Sequence, residues 1–326
     1  AESRRPQDGR IESDILGRKI DFRVSTQPTI NGENIVMRIL DEKQSIFSLE
    51  KLGLLKKDVS LIKKMVKRPE GVMLLTGPTG SGKTTTLYTI LNYINSIDKN
   101  IMTLEDPVEY QLPGLSQVQV RPEIGFDFSA GLRSIVRQDP DVIMVGEMRD
   151  EETAHMAIEA SLTGHLVLST LHTNNAPETI TRLIDMGMEP FSFSDALLAV
   201  LAQRLARRLC DQCKVEYEAS ESERAEFSGY LGETALSRLA GPGPLKLFRA
   251  EGCVECENSG YRGRLPLHEL LVNNDEIREA MQKKATTAEL RLLAEKNGMR
   301  TLLQDGVAKC LQGLTDLKQV LAVCSR

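Results

Sequence analysis

The residues best suited to chemistry lie in the stretch GPTGSGKTTTLY, from Gly77 to Tyr88. Gly77, Pro78, Thr79, Gly80, Ser81, Gly82, Lys83 and Thr84 fit the spacing G-x-x-x-x-G-K-[ST] in full, and Thr85 follows. That spacing suits phosphate. Glycines let backbone N–H groups turn inward around anionic oxygens. A helix starting at the lysine adds partial positive charge. Lys83 then reaches the β- and γ-phosphates, and Thr84 ligates Mg²⁺. The loop implies nucleoside triphosphate binding but serves kinases, GTPases, helicases and motors alike.

Hydrolysis needs an acid at the end of another strand, holding the Mg²⁺ water or orienting the attacking water. TLEDPVEY offers Glu105, Asp106 and Glu109. Asp106 reads equally well as a turn residue before Pro107. DVIMVGEMRD offers Glu147, one place late, because Gly146 takes the customary acid position. In GHLVLSTLHTNNA, His165 and His172 flank one strand. His172, at the carboxyl end, can contact the γ-phosphate or hydrogen-bond an acid. His165, at the strand's start, reads equally as a structural histidine or as one near the site, His155 reads as structural, and His268 carries no assignment.

Four of the six cysteines form two CxxC pairs, Cys210/Cys213 and Cys253/Cys256. Four thiolates suit a closed, structural zinc site. The pairs are separated by about forty residues, beyond the ~15–20 of compact zinc ribbons. The site must then close an inserted loop. Cys310 and Cys324 read as buried or free thiols. Arg204, Arg207 and Arg208 read as a solvated helix face, with a partner surface as the other reading.

These residues need a scaffold. GVMLLT, NIMTLEDP, DVIMVGE and HLVLSTLHT are apolar runs that read as buried strands. Helical stretches alternate with them, at 129–138, 151–162 and 176–186. The pattern predicts a mostly parallel, three-layer α/β sheet with functional residues at the strands' carboxyl ends. Upstream, RKIDFRVSTQPTINGENIVMRIL predicts two strands, at 19–25 and 34–40, around a turn. Downstream, SDALLAVLAQRLARRL reads as an amphipathic helix. Residues 216–252 read as a helix with loops, and the tail from Thr286 as short helices broken at Gly298 and Gly313. The division expected is a β-rich segment and linker at 1–45, a P-loop core at 46–206, a tetracysteine module at 207–265 and a helical subdomain at 266–326.

The 326-residue chain carries a net charge of −5, with 41% hydrophobic and 4% aromatic residues and no tryptophan. No apolar run nears the ~20 residues that span a bilayer. No signal peptide is evident. A cytoplasmic location is expected, and the acidic balance speaks against a broad nucleic-acid surface. The chain does not open on Met, and a fragment of a longer protein is expected.

Read together, these blocks resemble the type II secretion and type IV pilus-assembly ATPases. GPTGSGKTTTLY resembles their Walker A box, IMTLEDPVEY their aspartate-rich box, RQDPDVIMVGEMRD their atypical Walker B and TGHLVLSTLHTNNA their histidine box. RPQDGRI and DFRVSTQP…GENIVMRIL are similar to the segment before their motor domain. The resemblance implies a RecA-like P-loop core and a tetracysteine zinc module, which the retraction branch lacks. It also implies a homo-hexamer using ATP, Mg²⁺ and Zn²⁺. That hexamer would work at the cytoplasmic face of the inner membrane, through platform and docking proteins, to drive pilins or pseudopilins into a filament. Further N-terminal domains would precede this chain. Residue by residue, Glu105 matches the box acid implicated in hydrolysis, Glu147 the Walker B acid and His172 the histidine nearest the site. Arg23 and Arg38 match arginines that approach the γ-phosphate. Arg133 and Arg137 share a helix face that can line a subunit contact. Two other classes stay open: a nucleic-acid translocase or helicase, and a nucleotide-switched scaffold.

Overall fold

The computed structural model describes residues 3–15, 18–40 and 48–324. The expected boundary at 45/46 lies outside the described residues.

A seven-stranded sheet organises the chain, in the order β12-β9-β4-β8-β7-β5-β6. Its strands are β4 (Gly71–Thr76), β5 (Ile101–Glu105), β6 (Ser116–Gln119), β7 (Val142–Val145), β8 (Leu166–Leu171), β9 (Leu197–Leu209) and β12 (Tyr261–Val272). All pairs are parallel except β12 with β9. The apolar runs are continuous because both faces are covered. On β4, Val72 and Leu74 join one core cluster, and Met73 and Leu75 join the other. The second face carries α1 (Lys56–Met65) and α2 (Lys83–Ile94). The first carries α3 (Phe128–Ile135), α4 (Glu151–Leu162), α5 (Ala176–Asp185) and α6 (Pro190–Ala196).

One expectation is overturned. Most of SDALLAVLAQRLARRL is not a helix; only its first three residues are helical, as the end of Pro190–Ala196, and Leu197–Leu209 is strand β9. Ala, Leu, Gln and Arg favour helix intrinsically, but that preference is weak and tertiary context overrides it. Between β4 and β12, every residue from Leu197 to Arg204 is buried, a demand that a one-sided helix would not meet. β12 extends the sheet antiparallel and crosses the 265/266 division expected from sequence.

Between β9 and β12 the chain makes an excursion. It holds α7 (Glu221–Leu231), α8 (Glu233–Ala240) and a two-stranded ladder of β10 (Val215–Glu218) with β11 (Lys246–Arg249). Helices α9 (Asp275–Gln282), α10 (Thr287–Lys296), α11 (Leu302–Leu311) and α12 (Leu317–Cys324) follow.

The N-terminal part is a separate antiparallel sheet, β1 (Gln7–Ile15), β2 (Arg18–Thr29) and β3 (Gly32–Leu40). β1 is an additional strand that the sequence pattern did not mark, since its charged residues mask the alternation. The register sets Arg23 directly opposite Arg38, and Phe22 opposite Ile39.

Candidate functional site

The phosphate loop runs from the end of β4 to the start of α2. Gly77, Gly80 and Gly82 adopt φ of 146°, 80° and 89°, where a side chain is strained. Space demands two of them as well. A Cβ on Gly77 would stand 2.4 Å from the Gln203 carbonyl, and one on Gly82 would stand 2.7 Å from Gln203 Nε2. Gln203, on β9, is the floor of the loop. Its Nε2 donates to the Ser81 carbonyl at 2.7 Å, and its Oε1 accepts from Thr86 Oγ1 at 2.7 Å.

Lys83 is buried, and its ammonium donates to the carbonyls of Gly77 at 2.6 Å and Pro78 at 3.2 Å. Burial pushes its pKa down to about 8, with Glu147 opposing and the Arg204 charge adding to the fall. Thr84, one residue on, is exposed in the first turn of α2.

Glu147 follows β7. Gly146 occupies the expected acid position, where the backbone of β5 leaves little room for a side chain. A Cβ there would stand 3.2 Å from the Leu104 carbonyl. Gly146 N donates to that carbonyl, and Thr170 Oγ1 donates to the Gly146 carbonyl at 2.7 Å. Thus pinned, the chain presents Glu147 between Arg149 and His172. One oxygen pairs with Arg149, and the other lies 3.3 Å from His172 Nε2. The His172 turn is tied to the phosphate-loop strand by Thr76 Oγ1, which lies 2.7 Å from Thr173 Oγ1 and accepts from Thr173 N at 2.9 Å.

Glu105 is placed differently. It is 3% exposed and faces Tyr88 of α2. Tyr88 donates to Oε2, while Thr103 Oγ1 and Gln117 Nε2 donate to Oε1 at 2.6 and 3.2 Å. Burial raises its pKa, and these three hydrogen bonds work against the rise. Among the described residues, no hydrogen bond or ion pair joins Glu105 to Lys83 or Glu147. The structure therefore brings Lys83, Glu147 and His172 together and sets Glu105 apart. It also sets Arg23 and Arg38 apart, since no hydrogen bond or ion pair links either to the loop or its acids among the described residues.

The arginine reading is partly overturned. Arg204 is 6% exposed and lies behind the loop, because β9 is a buried strand and not a surface helix. Arg207 is exposed over the Tyr261 ring, and Arg208 pairs with Asp211 at 2.9 Å. Gln203, Arg149 and Tyr88 carry no role in the sequence reading, and Arg204 carries a surface one. The available signal was a polar pair, Gln203-Arg204, interrupting an apolar run. Among the other residues, Arg133 pairs with Glu152 across α3 and α4. His155 is exposed beside Glu159, His165 Nδ1 lies 3.0 Å from the Ala160 carbonyl, and His268 is buried.

The four cysteines meet where the excursion leaves β9 and returns to β12. Cys210 N donates to the Gly260 carbonyl at 3.0 Å, closing its neck. Sγ–Sγ separations are 3.9 Å for Cys210–Cys253, 3.8 Å for Cys213–Cys256 and 3.7 Å for Cys253–Cys256. A tetrahedron with metal–sulfur bonds of about 2.3 Å has edges of about 3.8 Å. The donor set thus fits a thiophilic metal, and zinc is compatible with it. Backbone N–H groups of Gly252 and Gly260 donate to Cys213 and Cys256 Sγ at 3.3 and 3.2 Å, as they do around thiolates.

Comparison with known proteins identifies the family. The profile of the family described as "Type II/IV secretion system protein" matches residues 1–322. "Type II secretion system protein E" of Xanthomonas campestris pv. campestris is 50% identical over 99% of this chain and 56% of its own length. "Type II secretion system ATPase E" of Vibrio cholerae is 48% identical over 99% of this chain and 62% of its own. "Type IV pilus assembly ATPase PilB" of Thermus thermophilus is 48% identical over 99% and 35%. The chain thus spans about half to three-fifths of the type II relatives' length. Among solved structures, the pilus retraction motor PilT with bound ADP superposes with a TM-score of 0.69 at 28% identity, covering 98% of this chain and 77% of that one. From a phosphate loop on a parallel sheet, a displaced acid beside a histidine and a profile match over nearly the whole chain, this chain belongs to the type II/IV secretion system protein family.

Proposed function

We propose that this chain is the ATP-hydrolysing part of a cytoplasmic motor that powers pseudopilus assembly and protein export in a type II secretion system. The observation that carries this is the convergence of Lys83, Glu147 and His172 at the carboxyl ends of the parallel strands, where ligands bind in such sheets. Gly77 to Thr85 cradle the phosphates, Lys83 neutralises their charge and Thr84 holds Mg²⁺. The metal supplies charge neutralisation on the phosphate oxygens when bound. Glu147, held from two sides, is oriented to accept a proton from water, and His172 fixes its direction. Glu105 shapes the second acid position behind Tyr88. Arg23 and Arg38 deliver positive charge to the γ-phosphate when the N-terminal sheet closes on the core. The working form is a homo-hexamer at the cytoplasmic face of the inner membrane, reached through platform and docking proteins. The tetracysteine site holds Zn²⁺ and keeps the 210–260 excursion folded.

The test is steady-state hydrolysis by full-length protein with Mg²⁺ and ATP. Lys83→Ala should bring turnover to background. Normal turnover would reject this site. The identity to the pilus-assembly relative favours one further reading, a motor for pilus extension. Restoring secretion in a strain lacking its secretion ATPase, and not piliation in one lacking its extension ATPase, decides for the first.

A further inference from the structure

We propose that Arg204 is a second, internal cation of the phosphate site, holding nucleotide phosphate charge from behind Gly77 while tying the loop to the turn that carries His172. The proposal rests on the reading of Gly77 to Thr84 as a phosphate loop.

Neighbouring residues on a strand face opposite ways. Gln203 therefore serves Ser81 and Thr86, while Arg204 turns to the other side. Its Nη2 donates to the Asn174 carbonyl at 3.0 Å, two residues beyond His172. Its Nη1 is buried and has no hydrogen-bond partner. That atom lies 3.2 Å from where a Cβ on Gly77 would stand, so the guanidinium helps to keep the first loop residue a glycine.

The surrounding acids are committed elsewhere. Glu269 of β12 accepts from Ala176 N at 2.7 Å and from Leu302 N at 3.1 Å. Glu178 of α5 accepts from Asn174 N at 3.0 Å and from its own cap residue Asn175. Among the described residues, Arg204 forms no ion pair with either. A guanidinium keeps its charge at any working pH, and buried charges are retained where something compensates them. Lys83 is the other buried cation here, and Glu147 is the acid that faces it. Phosphate held in the loop is the negative charge that compensates both cations, Lys83 directly and Arg204 across the Gly77 backbone.

The test compares full-length wild type, R204Q and R204K for binding of ATP, ADP and adenosine with Mg²⁺. Loss of one charge-assisted contact should weaken ATP and ADP about tenfold in R204Q and leave adenosine unchanged. R204K, which keeps the charge, should hold ATP within about threefold of wild type. A residue that only braced the fold would weaken adenosine as much as ATP, and that result would overturn the proposal. So would ATP binding by R204Q at wild-type strength, or R204K as weak as R204Q. Should R204Q not fold, arginine-labelled wild type decides. The guanidinium resonance missing from R204K must shift on adding pyrophosphate, and an unmoved resonance refutes the proposal. K83A separates the two readings. If it loses ATP while R204Q retains it, only Arg204's role falls; if both bind ATP normally, the loop reading falls too.

Discussion

His172 Nε2 lies 3.3 Å from Glu147 Oε2, across the carboxyl ends of β8 and β7. Neither residue is next to the phosphate loop in sequence, and each is held by a separate set of backbone contacts. The imidazole stands against one oxygen of the acid and Arg149 pairs with the other, so each carboxylate oxygen has its own neighbour. Glu147→Gln should lower kcat by about a hundredfold or more while ATP affinity stays within about threefold. His172→Ala should cost less, about tenfold, because it removes only the orienting partner. Steady-state turnover beside equilibrium binding separates the two. Wild-type turnover in Glu147→Gln would remove this acid from the chemistry.

Glu105 gives a prediction with a pH sign. Burial holds its carboxyl above the ordinary 4.5 in the folded chain. The folded state then binds that proton more tightly than the unfolded state. The ionised carboxylate costs stability, and the cost grows as pH rises from 4.5 through the raised value. Glu105→Gln removes the charge; its amide oxygen can keep the Thr103 and Gln117 donors, and its NH2 group then meets the Tyr88 hydroxyl, which can turn to accept. The substitution should raise the melting temperature at neutral pH by about 1–3 °C, and the gain should vanish below the unfolded pKa. Turnover should fall at the same time if the acid is used in hydrolysis. Calorimetry at neutral and acid pH checks the sign, and a gain confined to acid pH would contradict it.

Gly77 tests the close packing under the loop. Gly77→Ala puts a methyl 2.4 Å from the Gln203 carbonyl at a φ that side chains avoid. The cost should be about 1–3 kcal/mol of stability, with loss of ATP binding. Thermal melting and nucleotide titration read both, and an alanine variant that binds ATP normally would show that the loop has more room than this.

The strongest sequence signals came from residues whose neighbours in the chain are also their neighbours in space. The phosphate loop needs only a strand, glycines, a lysine and a helix in succession, and all of these are local. Glu147 and His172 could be placed at strand ends for the same reason. Their pairing could not be read, because it depends on β7 and β8 lying side by side. β9 was misread for a physical cause. Alanine, leucine and arginine carry helix preference, and the burial that overrides it comes from β4 and β12, far away in sequence. With β9 misread, Gln203 and Arg204 lost their place beneath the loop. Tyr88 ends the loop motif, yet its bond to Glu105 joins α2 to β5 and leaves no local trace.

The cysteine cluster predicts a localised failure. Cys210→Ser breaks the site at the point where β9 leaves the sheet. Zinc content should fall from about one ion per chain to nearly none. Limited proteolysis should then cut within 210–260 while the 71–171 core stays intact. Full zinc occupancy by elemental analysis would refute the four-thiolate assignment.

The last prediction concerns the N-terminal sheet. Arg23 and Arg38 face each other across β2 and β3, so their charges act as one patch. A guanidinium pair carried on a separate sheet and delivered to the γ-phosphate would couple the position of that sheet to hydrolysis. Arg38→Ala should therefore cut turnover about tenfold or more in the assembled oligomer, with ATP binding nearly unchanged. The same substitution should have little effect on nucleotide binding by the isolated subunit, where the core alone supplies the loop. Oligomer turnover unaffected by Arg38→Ala would leave this patch without a role at the γ-phosphate. Loss of ATP binding along with turnover would instead make it part of the ground-state site.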